Sequence, residues 1–131
     1  MSYNLPSPLS HLPIYEKAMD ILALSRRISN YLNHDLAALN SDGTEDANIY
    51  FSGDIVQQST HLAPEIINVE REACSYKKNK HLERLDRLTT RLYRNCRRLE
   101  NANSNGKDYL PILRGELKKF KTMQRHWMMT F

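Results

Sequence analysis

Leu82, Leu85, Thr89, Leu92, Cys96 and Leu99 recur at spacings of three and four along the chain. That period puts all six on one side of an α-helix, here expected over about 77–102, and a seam of this kind must be covered by neighbouring helices. A single helix cannot cover itself, so the remaining segments must supply the partners.

They do so with the same period. Ile14, Ala18, Ile21, Ser25, Ile28 and Leu32, broadened by Tyr15, Met19 and Leu22, predict a first helix over about 13–39, with Pro13 in its first turn where a missing N–H costs nothing. Phe51, Ile55, Leu62, Ile66, Val69 and Ala73, flanked by Val56, Ala63 and Ile67, predict a second. Pro64 removes a backbone donor inside that run, and a kink is expected there. Leu110, Leu113, Leu117, Phe120, Gln124, Trp127 and Phe131 predict the last helix, with Asp108 as its N-cap and Pro111 in its first turn. No run alternates apolar and polar residues for more than a few positions, so no sheet is expected. The fold class is therefore all-α, an antiparallel up-down four-helix bundle.

The connections agree with this arrangement. Residues 40–46 (Asn-Ser-Asp-Gly-Thr-Glu-Asp) concentrate turn formers and should be the longest loop, and 101–106 forms a short turn. Residues 1–12, with Pro6 and Pro8, read as an irregular leader to a domain over 13–131. A chain of 131 residues with only 4 Gly and 5 Pro fits one domain built of long elements. No apolar stretch approaches the roughly 18 to 20 residues of a membrane span, and the N-terminus lacks the features of a signal peptide. A cytoplasmic protein with no membrane association is expected. Cys74 and Cys96 form no CxxC pair and are expected inside two different helices as buried thiols.

Little points to catalysis. His11, His34, His61, His81 and His126 are scattered singly, and neither HExxH nor CxxC occurs. Gly43, Gly53, Gly106 and Gly115 form no phosphate loop, and no nucleophile elbow is present. The expectation is a non-enzymatic protein with no metal and no cofactor.

Charge carries more information. Residues 1–76 hold four basic residues against ten acids, net −6, whereas 77–131 hold fifteen against five, net +10. Within the third helix Lys80, Arg84, Arg87, Arg91, Arg94 and Arg98 repeat at three-four spacing. At about 100° per residue they lie nearly opposite Leu85, Leu92 and Cys96. Arg114, Lys118, Lys121 and Arg125, with Lys119 beside them, form a second row on the last helix. Two basic rows on consecutive helices could track a phosphate backbone. Plain solvation of a bundle surface would mix signs, yet the first row contains no acid. Arginine there favours bidentate contacts with phosphates or carboxylates, so the partner is RNA or DNA or, alternatively, an acidic protein surface. Tyr93 stands near the row as a candidate for base stacking, with packing at the core edge as the plainer role. Trp127, Met128, Met129 and Phe131 make an apolar C-terminus that either caps the core or is buried against another subunit. Trp127, Met128 and Phe131 are the candidate oligomer contacts.

Leu12-Pro13-Ile14-Tyr15-Glu16-Lys17 opening the first helix, and Lys107-Asp108-Tyr109 leading a last helix that ends near Trp127, give a recognisable order of pieces. The chain resembles, over roughly 12–128, the four-helix-bundle family that includes the accessory variability determinant of diversity-generating retroelements and the proteins encoded in large-subunit rRNA intervening sequences. The resemblance implies a ring-like homopentamer with a basic surface that binds RNA or DNA and associates with a reverse transcriptase. It implies no catalytic residues.

Overall fold

The computed structural model describes residues 12–36, 42–44, 48–101 and 105–131. The expected leader before residue 12, the end of the first helix past 36, most of the loop over 40–46 and residue 102 lie outside them. The described residues form α1 (Pro13–Leu36), α2 (Asn48–Thr60), α3 (Leu62–Arg71), α4 (Ser75–Leu99) and α5 (Leu110–Met128). A short 3-10 turn, Asn105–Tyr109, precedes α5, and no strand occurs among the described residues. No described helix is long and apolar enough to cross a membrane.

α2 and α3 are one helical arm interrupted at a single residue. Pro64 has no N–H to donate to the Thr60 carbonyl, and α2 stops at Thr60. His61 keeps a helical backbone (φ −88°, ψ −9°), and its N–H turns back to Gln58 O at 3.2 Å while its carbonyl accepts from Glu65 N at 3.3 Å. The expected kink is thus a one-residue break placed three residues before the proline. Between α1 and α2, Asp42 Oδ1 accepts hydrogen bonds from Thr44 N and Oγ1 at 3.0 and 2.6 Å, and these bonds hold its carboxyl below the ordinary range. Gly43 between them adopts φ +85°, a conformation that favours glycine.

Four helical arms surround one core. α1 and α4 each sit between the α2–α3 arm on one side and α5 on the other. The seam of α4, Leu82, Leu85, Thr89, Leu92, Cys96 and Leu99, is buried throughout, as is the α1 stripe from Ile14 to Leu32. Thr89 fits this apolar setting because its hydroxyl donates to Leu85 O at 2.7 Å. On α1, Ser25 is fully buried because its hydroxyl meets that of Ser59 at 2.8 Å, and Ser59 lies 2.6 Å from Ile55 O. Small hydroxyl side chains let α1 and α2 approach closely while leaving no polar atom unmatched. Ser52 and Asn33 are joined by a short hydrogen bond along the same interface. α2 meets α4 through Gln58 and Asn95 at 3.0 Å, and α1 meets α5 through Lys17 and Glu116 at 2.8 Å.

Several sequence expectations require correction. Cys74 is exposed and precedes α4 in an extended linker with Ala73, its N–H bonded to Glu72 Oε2 at 3.3 Å; only Cys96 is a buried thiol. Burial pushes the Cys96 thiol up to about 12. Ala73 and Met19 lie outside the core, being exposed at the ends or flanks of their stripes. Asp108 falls within the 3-10 turn, and Tyr109 occupies the N-cap of α5 with no capping side chain, whereas Pro111 lies in the first turn as expected. Phe131 follows the helix end and is about half exposed, set edge-on to Trp127 at 5.2 Å.

The register of α4 is open to a direct check. Leu92 is fully buried and its neighbour Arg91 is exposed. Leu92→Ala should lower unfolding free energy by about 2 to 5 kcal/mol in denaturant titration, and Arg91→Gln by less than about 0.5 kcal/mol. Comparable losses would place the seam on another face.

Candidate nucleic-acid interface

Burying the seam of α4 turns its opposite side outward, and Lys80, Arg84, Arg87, Arg91, Arg94 and Arg98 are all exposed. Their local surroundings differ. Lys80 Nζ lies over Tyr76 at 5.3 Å, and the Arg98 guanidinium lies over Phe51 at 4.2 Å. Arg84 approaches His81 Nδ1 at 3.4 Å and Glu65 Oε1 at 3.9 Å. Arg87, Arg91 and Arg94 have no acidic partner among the described residues. Three adjacent, exposed guanidinium groups therefore stand without an ion pair among the described residues.

The row on α5 is differently occupied. The Arg114 guanidinium is clamped by Glu100, with Nε 2.5 Å from Oε2 and Nη2 2.9 Å from Oε1, and Nη1 reaches the Tyr93 hydroxyl at 3.4 Å. The Glu100 hydrogen bond stabilises its charged form further, and the same guanidinium holds the Tyr93 phenol below its ordinary range. Tyr93 thus faces α5 and serves the packing between helices. Lys121 donates to Thr90 Oγ1 at 3.3 Å and Arg125 to Thr122 Oγ1 at 3.4 Å, while Lys118 is exposed. Lys119 pairs with Glu116 at 3.0 Å.

The two rows do not merge along this side. A groove between α4 and α5 brings Glu83 and Asp86 of α4 opposite Lys121 and Arg125 of α5, over Leu82, Gln124 and Met128. Acids therefore stand beside the second row, and the ridge of α4 leans the other way, toward α3. There Arg84, Arg87 and Arg91 form one wall of a groove of about 500 Å³ whose other wall carries His61, Pro64 and Asn68. Glu65 lies at its base, only 8% exposed, holding His81 Nδ1 at 3.1 Å and Asn68 Nδ2 at 3.1 Å. Sequence periodicity missed this wall. Its one signal was an acid, Glu65, set within the apolar stripe between Leu62 and Val69.

Among the C-terminal candidates, Trp127 is buried and its indole N–H donates to Glu70 Oε1 at 2.5 Å, so it closes the end of the core. Met128, Met129 and Phe131 stay at the surface, with Lys78 Nζ over the Phe131 ring at 4.3 Å. The described residues contain no group of three or more His, Cys, Asp or Glu able to hold a metal ion. Comparisons of this chain with family models, with curated proteins and with solved structures found no match.

The α5 surface yields a pH test. Lys17, and after it Lys119, holds the Glu116 carboxyl below its ordinary value of 4.5. A carboxyl depressed on folding stabilises the native state above its unfolded value, and that contribution disappears as pH falls through the folded value. Because the pair is partly exposed, Glu116→Gln should cost roughly 0.5 to 1 kcal/mol at neutral pH. The gap between variant and wild type should narrow as pH falls below 4.5 and vanish once pH is below the depressed native value, as read in urea titrations. A gap that persists in acid would show that the ion pairs are not its source.

Proposed function

We propose that this chain is a non-enzymatic nucleic-acid-binding accessory protein, an antiparallel up-down four-helix bundle that offers the ridge of α4 to phosphates. The antiparallel arrangement is supported by the order in which side chains meet. Ser25 and Asn33 of α1 meet Ser59 and Ser52 of α2, and Glu65 and Gln58 meet His81 and Asn95 of α4, in each case with the numbering reversed.

One observation carries the functional reading: Arg87, Arg91 and Arg94 are exposed, adjacent and without acidic partners among the described residues. Free guanidinium forks bind phosphate oxygens bidentately, and a straight row of them binds a backbone without regard to sequence. Lys80, Arg84 and Arg98 extend the row at both ends. On α5, Lys118 supports it as an outlying charge, whereas Arg114, Lys121 and Arg125 are already engaged by Glu100, Thr90 and Thr122. The resemblance to retroelement accessory bundles adds a reverse transcriptase as the protein that this one would assist.

The rival reading is an adaptor whose ridge docks on an acidic protein. Arg87→Gln, Arg91→Gln and Arg94→Gln together preserve helix propensity and leave the core untouched. On the proposed reading, affinity for RNA or DNA falls for every sequence tried. The slope of log K against log salt becomes shallower by up to about 0.9 for each duplex phosphate that the variant no longer neutralises. Arg26, Arg27 and Arg71, exposed in the acidic half, give a control of equal charge change when converted to Gln. Equal weakening by both triple variants would mean that overall charge alone drives binding.

A further inference from the structure

The groove between α3 and α4 has a composition that a phosphate row alone does not require. On one wall stand Arg84, Arg87 and Arg91; on the other, His61 and Asn68 are exposed beside Pro64, and Leu88 is half-buried against the core. Its volume of about 500 Å³ falls within the range of small-molecule sites, roughly 300 to 1,000 Å³. Polar and apolar surfaces meet there, as they do around a flat heterocycle held by its faces and edges.

The groove is also built to stay in place. Glu65 is almost fully buried and accepts from Asn68 while facing His81 of α4, which ties the two walls together through a carboxylate. Its oxygens are thereby used, and the Asn68 amide is oriented with its nitrogen toward Glu65 and its oxygen left to accept. His61 has no side-chain partner among the described residues, and the break that Pro64 imposes sets it at the mouth of the groove. Pro64, which first appears as a flaw in a helix, thus shapes a binding wall.

We propose that this groove receives an unstacked nucleobase, and that the ligand of the α4 ridge is therefore a single strand rather than a duplex. The inference rests on the ridge being a phosphate-binding surface, as argued above. Phosphates on Arg87, Arg91 and Arg94 bring the strand alongside the groove. A base turned inward stacks on the imidazole of His61 or on a guanidinium plane, with Leu88 and Pro64 beneath it and the Asn68 carbonyl accepting from its edge. In a duplex the bases are paired and stacked inward, so this groove would remain empty and only the ridge would be used.

Fluorescence anisotropy with three labelled probes tests this at fixed salt: a short DNA single strand, an abasic strand of equal length, and a blunt duplex. The intact strand should bind at least about fivefold more tightly than the abasic strand, the lower bound for stacking one base. His61→Ala and Asn68→Ala should shrink that preference while leaving abasic binding unchanged, with circular dichroism confirming the helical fold of each variant. Equal affinity of wild type for the intact and abasic strands would overturn the base-binding groove while leaving the phosphate ridge standing. A preference for the duplex that neither variant alters would do the same. If the wild type binds none of the three probes, the nucleic-acid reading itself falls, and the groove with it.

Discussion

Burial of one face of α4 between the α2–α3 arm and α5 is the constraint on which the rest of the molecule depends. Leu85, Leu92, Cys96 and Leu99 have no exposure, and they can be covered from both sides only if α4 keeps one rotational setting. Each buried leucine favours that setting by roughly 1.5 to 3 kcal/mol. The outward direction of the arginines follows, because residues at the same three-four spacing but displaced by half a turn have nowhere else to go. Fold and candidate site are thus two sides of one helix.

That arrangement has a cost. Along the ridge, consecutive cations stand three or four residues apart, the spacing at which like charges repel by roughly 0.2 to 0.5 kcal/mol per pair. Arg84 is relieved in part by Glu65 and Arg98 by the face of Phe51, but Arg87, Arg91 and Arg94 have no such relief among the described residues. Elsewhere the protein neutralises comparable groups, clamping Arg114 with Glu100 and Lys17 with Glu116. An anion laid along the ridge removes the repulsion, which is the physical content of the proposed function.

The period of the apolar residues made the core legible, including Thr89 and Gln124, polar residues whose positions alone marked them as buried. The exposed ridge was legible for the same reason. Pairings that depend on how one helix is turned against another were not. Whether Arg114 is free depends on Glu100 reaching it from the end of α4, and periodicity along one helix does not say which side chain of a neighbouring helix a residue meets. Cys74 was misplaced because the α3–α4 linker, which takes in Ala73, lies where the stripe had been extended. The groove by Glu65 joins residues sixteen positions apart across two helices, a pairing that no periodic signal marks.

Arginine-selective labelling of the folded chain, with and without a nucleic-acid strand and read residue by residue by mass spectrometry, separates a phosphate-binding ridge from a merely solvated one. Arg87, Arg91 and Arg94 should be modified rapidly in the free protein and the clamped Arg114 slowly. When the strand is added, the three ridge residues should be protected while Arg26, Arg27 and Arg71 keep their rates. Uniform protection of all exposed arginines, or protection confined to the acidic half, would show that the ridge is not the binding surface.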